Sequence, residues 1–230
     1  MNKKLLSGLC AAVLLSGLVG CGPKESKQNT TTSTSTIETK NTTTNNSEVT
    51  EKNFKGFPET DEKYFTYEEW QEGYAIYSCT SDDKVVRVPK TINGKPVIAI
   101  AQRGMANLEK CEAIVLPDTV RYVGESSFGR DKALKYIYLG TSLETVDDHA
   151  FLGASSLESV VFPEGTKSIG ELVFSDTPSI KSITIPESVT EITDLFYFPE
   201  NSNKNVEIHT PKGSKAEEAA NSLELKVVND

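Results

Sequence analysis

Histidine is scarce in this sequence, and so are the motifs that catalytic and metal sites leave behind. The 230 residues include two histidines, His149 and His209, and neither has acidic or cysteine neighbours at the spacing of a metal site. A nucleophile elbow, a phosphate-binding loop and an HExxH helix are also missing. We therefore predict a protein that is not an enzyme and that needs no metal and no cofactor. A Ser-His-Asp triad assembles in space rather than in sequence, so an enzyme stays as the weakest alternative.

Positive charge is in short supply as well. The chain has 24 Lys and Arg against 33 Asp and Glu, which gives a formal net charge of −9. No basic stripe with interleaved aromatic side chains interrupts this excess of acid. Nucleic acid phosphates repel such a surface, so nucleic acid is excluded as a partner.

Long apolar runs are limited to one, from Leu5 to Val19, which is too short for a comfortable membrane span. Two lysines precede it, so residues 1–20 have the composition of an export leader. The run ends in Leu18-Val19-Gly20-Cys21, which resembles the lipobox of bacterial lipoproteins. The resemblance implies cleavage before Cys21, a diacylglycerol on its sulfur, and an anchor on the outer side of the cytoplasmic membrane or in the outer membrane. The alternative is an ordinary secretory leader with an incidental cysteine.

Large apolar side chains almost disappear from residues 21–53, where Thr, Ser, Asn, Lys and Glu dominate. Such a composition cannot bury enough surface to offset the entropy of ordering. We predict a disordered tether that holds a folded domain of residues 54–230 away from a membrane. A plain linker without a further role is the alternative.

What the sequence does contain is a repeat. Ile114, Ile137, Val160 and Ile183 are each 23 residues apart, and the residue types around them recur at the same step. Self-similarity at a fixed period of this length is typical of a solenoid.

The recurring apolar positions predict which side chains fill the interior of that solenoid. One coil cannot bury its apolar side alone, so successive coils are expected to stack, with rings about one inter-strand distance apart, roughly 4.8 Å. The largest apolar side chain of each coil is aromatic, and it recurs at the same step of 23 as Phe128, Phe151, Phe174 and Tyr197.

The repeat is similar to that of the BspA-type leucine-rich repeat family of bacterial surface proteins. The resemblance is carried by the Leu134-x-x-Ile137-x-Leu139 pattern, the Pro or Gly after it, and the Val-x-x-Ile-Gly-x-x-Ala-Phe run. It implies an α/β-type solenoid dominated by β-structure, with a short parallel sheet. The domain would divide into an N-terminal hairpin cap at 54–96, repeats at 97–208 and a C-terminal helix–strand cap at 209–230.

Two residues depart from the family pattern where glycine is usual, Asp147 and Thr193. Aspartate tolerates the left-handed backbone conformation that glycine would supply, whereas threonine does so poorly. We therefore expect the last coil to be irregular.

The caps carry their own local signals. The turn signal of Gln71-Glu72-Gly73-Tyr74 and the strand predicted over Ala75–Cys79 are similar to the hairpin cap that opens many arrays of this family, although Thr66 and Glu69 could instead form a capping box for a short helix through Trp70. In either case Tyr67, Trp70 and Tyr74 are expected to cover the open end of the core. Asn93-Gly94 predicts a tight turn. Val206 and Ile208 are predicted as the last rung, with His209 in the column of the strand-ending prolines. Ser214 is expected to cap a short helix, and alternating apolar residues from Leu223 onward predict a final strand.

Once Cys10 in the leader and Cys21 at the lipobox-like site are set aside, two cysteines remain, Cys79 and Cys111. Cys111 falls in the inward column of Leu134, so a buried thiol is the favoured interpretation. Export permits a disulfide between the two, and the sequence alone does not decide this.

Alternation along the strands predicts one binding surface. If Ile137 faces inward, Tyr136 and Tyr138 must face outward, and the candidate binding residues are Val115, Tyr136, Tyr138, Val161 and Thr184. Solenoids commonly bind through such a sheet face, and exposed tyrosine is favoured in recognition. The alternative is that these residues are simply good strand formers.

The family resemblance implies a lipid-anchored surface protein that binds a protein partner, in some members as an adhesin. The short array favours one modest partner, on a cell surface or in an extracellular matrix. A structural or envelope-maintenance lipoprotein without a host ligand is the second hypothesis.

Overall fold

A computed structural model describes residues 50–196 and 204–229 of the chain. The leader, Cys21, most of the predicted tether and Tyr197 lie outside the described residues. Short 3-10 helices occupy Glu51–Phe54 and Glu62–Tyr64, and the remaining elements in chain order are β1 (Phe65–Trp70), β2 (Gly73–Cys79), β3 (Val85–Arg87), β4 (Thr91–Ile92), β5 (Lys95–Ile100), β6 (Ala113–Val115), β7 (Tyr122–Val123), β8 (Tyr136–Tyr138), β9 (Thr145–Val146), β10 (Ser159–Val161), β11 (Ser168–Ile169), β12 (Ser182–Thr184), β13 (Glu191–Ile192), β14 (Glu207–His209), α1 (Lys215–Ser222) and β15 (Lys226–Val228).

The repeating coils pair in parallel, and most of them contribute one strand to each of two sheets, which confirms the predicted solenoid. Sheet I consists of two ladders, β3-β6-β8 and β10-β12-β14-β15, and sheet II has the order β1-β2-β5-β7-β9-β11-β13. Between β8 and β10 the sheet I ladder is interrupted. There the N–H of Glu158 reaches the carbonyl of Lys135 over a long 3.4 Å.

The interior is a single apolar cluster shared by both sheets. Ring centroids of Phe128 and Phe151 lie 5.2 Å apart and those of Phe151 and Phe174 5.4 Å apart, with interplanar angles of 14° and 6°. The predicted column of stacked rings is therefore present, at a spacing close to that of the strands. In the last coil the ring against Phe174 is that of Phe196, at 5.7 Å and tilted by 33°.

Glycine recurs before the coil turn for a reason different from the expected one. Neither Asp147 nor Thr193 has a positive φ, and neither does Gly124 or Gly170 in the same column. A Cβ on Gly170 would lie 2.6 Å from the backbone nitrogen of Asp148 in the preceding coil. Glycine therefore serves close approach between coils, and the prediction of a left-handed column was wrong.

The left-handed residues of the turns occupy two other columns. One contains Arg103, Ser126, His149 and Leu172, with φ between 53° and 59°. The second contains Asn107, Arg130, Gly153 and Asp176, with φ between 56° and 74°. Because most of these residues carry a Cβ, their strain must be offset by hydrogen bonds between coils. The N–H of His149 donates to the carbonyl of Glu171 at 2.9 Å, and the N–H of Arg130 donates to that of Leu152 at 2.7 Å.

The N-terminal cap is the predicted hairpin, since β1 pairs antiparallel with β2 and no helix forms over 65–70. The first described element, the 3-10 helix Glu51–Phe54, lies partly within residues 21–53, which were predicted to be tether. Asn93 and Gly94 have φ values of 49° and 79° and connect β4 to β5 as the turn signal indicated.

The C-terminal cap differs from the prediction in register. Ile183 pairs with Ile208, 25 residues later, and Thr184 pairs with His209. His209 therefore stands in the column of Thr184, and the strand-ending proline is Pro211, so the predicted place of His209 was wrong. Ser214 caps α1 by accepting the N–H of Glu217 at 3.1 Å. Leu223 belongs to the end of α1, and the final strand starts only at Lys226.

Candidate protein-binding face

The candidate surface is the outward face of sheet I. Tyr136, Tyr138, Val161 and Thr184 are half-buried at alternate positions of β8, β10 and β12, as alternation requires. Val115 on β6 is only 3% exposed. The expectation that Val115 is accessible was therefore wrong, because another part of the chain covers it.

That cover is the segment of residues 50–60, which we name the strap. Phe54 is fully buried in a small second cluster with Val85, Ala113 and Val115. Phe57 packs against the same cluster. The strap thus buries apolar side chains on the outside of sheet I, across its first strands.

Arg87 on β3 fixes the strap by polar contacts. Its guanidinium donates to the carbonyl of Phe54 and to the carboxylate of Glu51, both at 3.2 Å. Its backbone exchanges hydrogen bonds with Thr60, whose N–H donates to the Arg87 carbonyl at 2.9 Å and whose hydroxyl accepts the Arg87 N–H at 3.1 Å. These hydrogen bonds fix the orientation of the strap on sheet I, because the apolar contacts of Phe54 and Phe57 are not directional. Phe54 and Phe57 stand in an otherwise polar stretch, which was the available sequence signal for the strap.

The two tyrosines border the strap rather than standing free. Both pack against the cluster around Phe54. The hydroxyl of Tyr138 donates to a carboxylate oxygen of Asp118 at 3.0 Å. Burial and this hydrogen bond raise the pKa of Tyr138 to about 12. Tyr138 is therefore a neutral phenol held in one orientation, suited to apolar and hydrogen-bonding contacts.

One edge of the face is lined by charges of alternating sign, 23 residues apart. Lys135 lies 3.1 Å from Glu112, and Lys181 lies 2.8 Å from Glu158. Hydrogen bonds from Lys84 and Lys135 hold the pKa of Glu112 below its usual value. Exposed pairs of this kind add little to stability, and they give the face a polar rim.

The structure does not bring the two histidines together. His209 is 4% exposed, with its Nε2 atom 3.6 Å from Glu207, and His149 lies on a different coil. No group of three His, Cys, Asp or Glu residues that could hold a metal occurs in the described part of the chain. Cys79 and Cys111 are free thiols, which agrees with the favoured interpretation. Burial raises the pKa of Cys111 to about 12, so this thiol is neutral and unreactive.

Among residues 50–196 and 204–229, no helix has the length and apolar character needed to cross a bilayer.

Solved structures with the same fold come from several bacteria. A T. pallidum leucine-rich repeat protein is 28% identical with a TM-score of 0.61, over 66% of this chain and 71% of that one. A Bacteroides ovatus leucine-rich repeat protein is 24% identical with a TM-score of 0.54, over 66% of this chain and 47% of that one. The pneumococcal vaccine antigen PcpA is 18% identical with a TM-score of 0.52, over 74% and 49%.

The last two likenesses establish the fold alone, and this chain spans about half the length of each. No curated protein shows significant similarity to the chain. The family model for the BspA type leucine-rich repeat region matches residues 74–207 of this chain in six copies. The match covers more than half of the 230 residues. The chain therefore belongs to the BspA-type leucine-rich repeat family.

Proposed function

We propose that this chain is a lipid-anchored surface protein that binds a protein partner through the part of sheet I that the strap leaves uncovered. Repeat solenoids serve in general as protein-binding scaffolds. The observation that carries the proposal for this chain is the strap itself. A segment of the chain already docks on this face by inserting Phe54 against Val85, Ala113 and Val115.

The open part of the face continues the same surface with the same chemistry. Tyr136 and Tyr138 lie where the strap ends, followed by Val161 and Thr184 on β10 and β12. A partner that presents one or two apolar side chains would extend the cover over these residues. Tyrosine at the border supplies a large contact area with little conformational entropy to lose. The short array favours a partner of modest contact area.

The binding test must separate the face from the strap. Serine at Tyr136 and Tyr138 would also loosen Phe54, so a sharper variant is Val161→Lys with Thr184→Lys. Both side chains are half-buried and lie away from the strap cluster. The matched control is Ser168→Lys with Thr190→Lys, which adds the same charge on and beside sheet II, at residues that lie outside the cleft of that sheet.

Chemical cross-linking on intact cells, followed by recovery of the protein, would provide the measurement. We expect the sheet I variant to lose a discrete cross-linked partner that the native chain and the sheet II control retain. Equal recovery from both variants would reject this face as the binding site.

The anchor is supported by the leader composition and by the lipobox-like residues before Cys21. Growth with an alkyne-labelled fatty acid should label the native protein and Cys10→Ala but leave Cys21→Ala unlabelled. Label retained by Cys21→Ala would contradict the anchor and would favour an ordinary secretory leader. Antibody binding to intact cells then tests whether the anchored domain faces outward, as an adhesive role requires and an internal envelope role does not.

A further inference from the structure

A half-open cleft of about 280 Å³ lies on the outward face of sheet II, on a different sheet from the proposed protein-binding face. Its floor is made by the small side chains of Ala75 and Ala99, which are paired across β2 and β5. Trp70, Tyr77 and Tyr122 stand around this floor. Because the side chains of Ala75 and Ala99 are small, they leave the cleft open above β2 and β5, and the aromatic side chains around them form its walls.

The aromatic side chains are arranged so that some ring surface remains available. The ring centroids of Trp70 and Tyr122 lie 4.9 Å apart in an edge-to-face arrangement. Tyr77 is 45% exposed, the one large apolar side chain that the described residues leave open to solvent. Tyr122 already has a cation over its ring, the guanidinium of Arg121 at 5.2 Å. The surfaces left for a ligand are therefore those of Trp70 and Tyr77.

The polar side of the cleft is acidic and lacks a counter-charge. Asp147 lines it beside Thr145, and no ion pair joins Asp147 to a basic side chain within the described residues. Arg121, whose guanidinium lies over the Tyr122 ring, is engaged by Glu144 at 2.6 Å and by Glu72 at 2.8 Å. Burial and the neighbouring carboxylates of Asp148 and Glu125 raise the pKa of Asp147. A bound cation would relieve this repulsion.

We propose that this cleft binds an alkylammonium group, as presented by a lysine side chain of a partner protein. Aromatic faces attract cations through their quadrupole, and the unpaired carboxylate of Asp147 supplies the opposite charge at the rim. An anion would meet the carboxylate of Asp147 there, with the charges of Asp148 and Glu125 close to it. A neutral sugar could stack on the rings and donate hydroxyl hydrogen bonds to Asp147, but it would leave the charge of this carboxylate uncompensated.

The chain provides its own reporter, because Trp70 is its single tryptophan. The protein would be titrated with a Gly-Lys-Gly peptide blocked at both ends, while Trp70 emission is followed. Two neutral probes serve for comparison, the same peptide with an acetylated lysine and N-acetylglucosamine. We expect a saturable change with the lysine peptide in the millimolar range, at least tenfold weaker binding of the acetylated peptide, and weakening at high salt.

Variants separate the site from general acidity. Asp147→Asn should weaken binding at least fivefold, and Tyr77→Ala should do the same without lowering the melting temperature, since Tyr77 is exposed. Glu191→Gln removes the same charge from β13 of the same sheet and should leave binding unchanged. The proposal is overturned if the acetylated peptide binds equally well, if the sugar alone saturates the signal, if the lysine peptide gives no saturable change, or if Asp147→Asn binds like the native protein.

Discussion

The carboxyl group of Asp131 is buried, so its negative charge is poorly solvated in the folded state. A substitution that removes this charge should therefore stabilise the protein. The Asp131 side chain lies in the connection between β7 and β8 and is 0% exposed. One carboxylate oxygen accepts the N–H of Leu108 at 2.8 Å, whereas Oδ2 has no hydrogen-bond partner. Burial raises the pKa of Asp131 from 3.8 to about 8.

The sign of the pH dependence follows from this shift. Between pH 4 and 8 the folded state holds a proton on Asp131 that the unfolded state has released, so the free energy of unfolding falls as pH rises through this window. Each pKa unit corresponds to about 1.4 kcal/mol, so the loss is on the order of 5 kcal/mol by pH 8. Asp131→Asn keeps an acceptor for Leu108 and abolishes the charge. At pH 8 it should unfold at a clearly higher urea concentration than the native protein, with the difference vanishing near pH 4.

Urea unfolding followed by circular dichroism from pH 4 to 8.5 would measure this. Asp131→Ala separates charge from hydrogen bonding, since it also leaves the Leu108 N–H without its acceptor, at a cost of about 1–3 kcal/mol. Alanine fits the position, because Ala154 fills the same column one coil later and is fully buried. Glu164→Gln is the control for an exposed carboxylate and should follow the native curve. If the native and Asp131→Asn curves stay parallel across this pH range, the carboxyl of Asp131 does not titrate as argued.

Three further perturbations test the packing. Phe151→Ala removes the middle ring of the stack and should lower the free energy of unfolding by about 3–5 kcal/mol, with Phe151→Leu losing less; a loss below 1 kcal/mol would remove this ring from the core. Gly170→Ala forces a Cβ to within 2.6 Å of the Asp148 nitrogen and should cost about 1–3 kcal/mol, whereas Gly129→Ala, with its nearest contact at 3.0 Å, should cost less; the reverse order would refute the close-approach argument. Phe54→Ala should speed amide exchange at Arg87 while the N–H of Phe128 stays protected, and unchanged exchange at Arg87 would show that Phe54 does not hold the strap.

The parts of the fold that the sequence predicted correctly are those that repeat. Burial of Phe128, Phe151 and Phe174 follows from their spacing, because every coil meets the same neighbours above and below. The hairpin turn at Asn93-Gly94 follows from local backbone chemistry. The first prediction needs only the repeat period and the second only the residues of the turn, so neither depends on contacts that are particular to one coil.

The errors arose where one coil differs from the next. A two-residue offset in the last coil moves His209 into the column of Thr184, and a strict step of 23 cannot show such an offset. Glycine at 124 and 170 was interpreted through its backbone freedom, although the contact that requires it comes from another coil. Val115 was expected to be exposed, since alternation reports which side a residue faces but not whether a distant segment covers it.

The cleft was missed for the same reason. Trp70 and Tyr77 lie in the N-terminal hairpin and Tyr122 lies in a later coil, and Trp70 was predicted to cover the open end of the core. The structure instead places Trp70 outside sheet II, against Tyr122. No periodic signal connects these residues, because β1 precedes the matched repeats, which begin at residue 74, and the register of β2 against β5 shifts after Tyr74.

The two proposed sites can be tested independently, because they lie on different sheets of one solenoid. The inward residues of sheet I, such as Ile137, and of sheet II, such as Val146, belong to one shared core, so the outward faces are separated by that core. A lysine at Val161 should therefore leave the Trp70 titration unchanged, and Asp147→Asn should leave the cross-linked partner in place. A Trp70 titration altered by the lysine at Val161 would show that the two surfaces are coupled through the protein itself. If instead Asp147→Asn loses the cross-linked partner while the protein remains folded, one partner must contact both surfaces, and the lysine that the cleft binds would then belong to the protein that sheet I recognises.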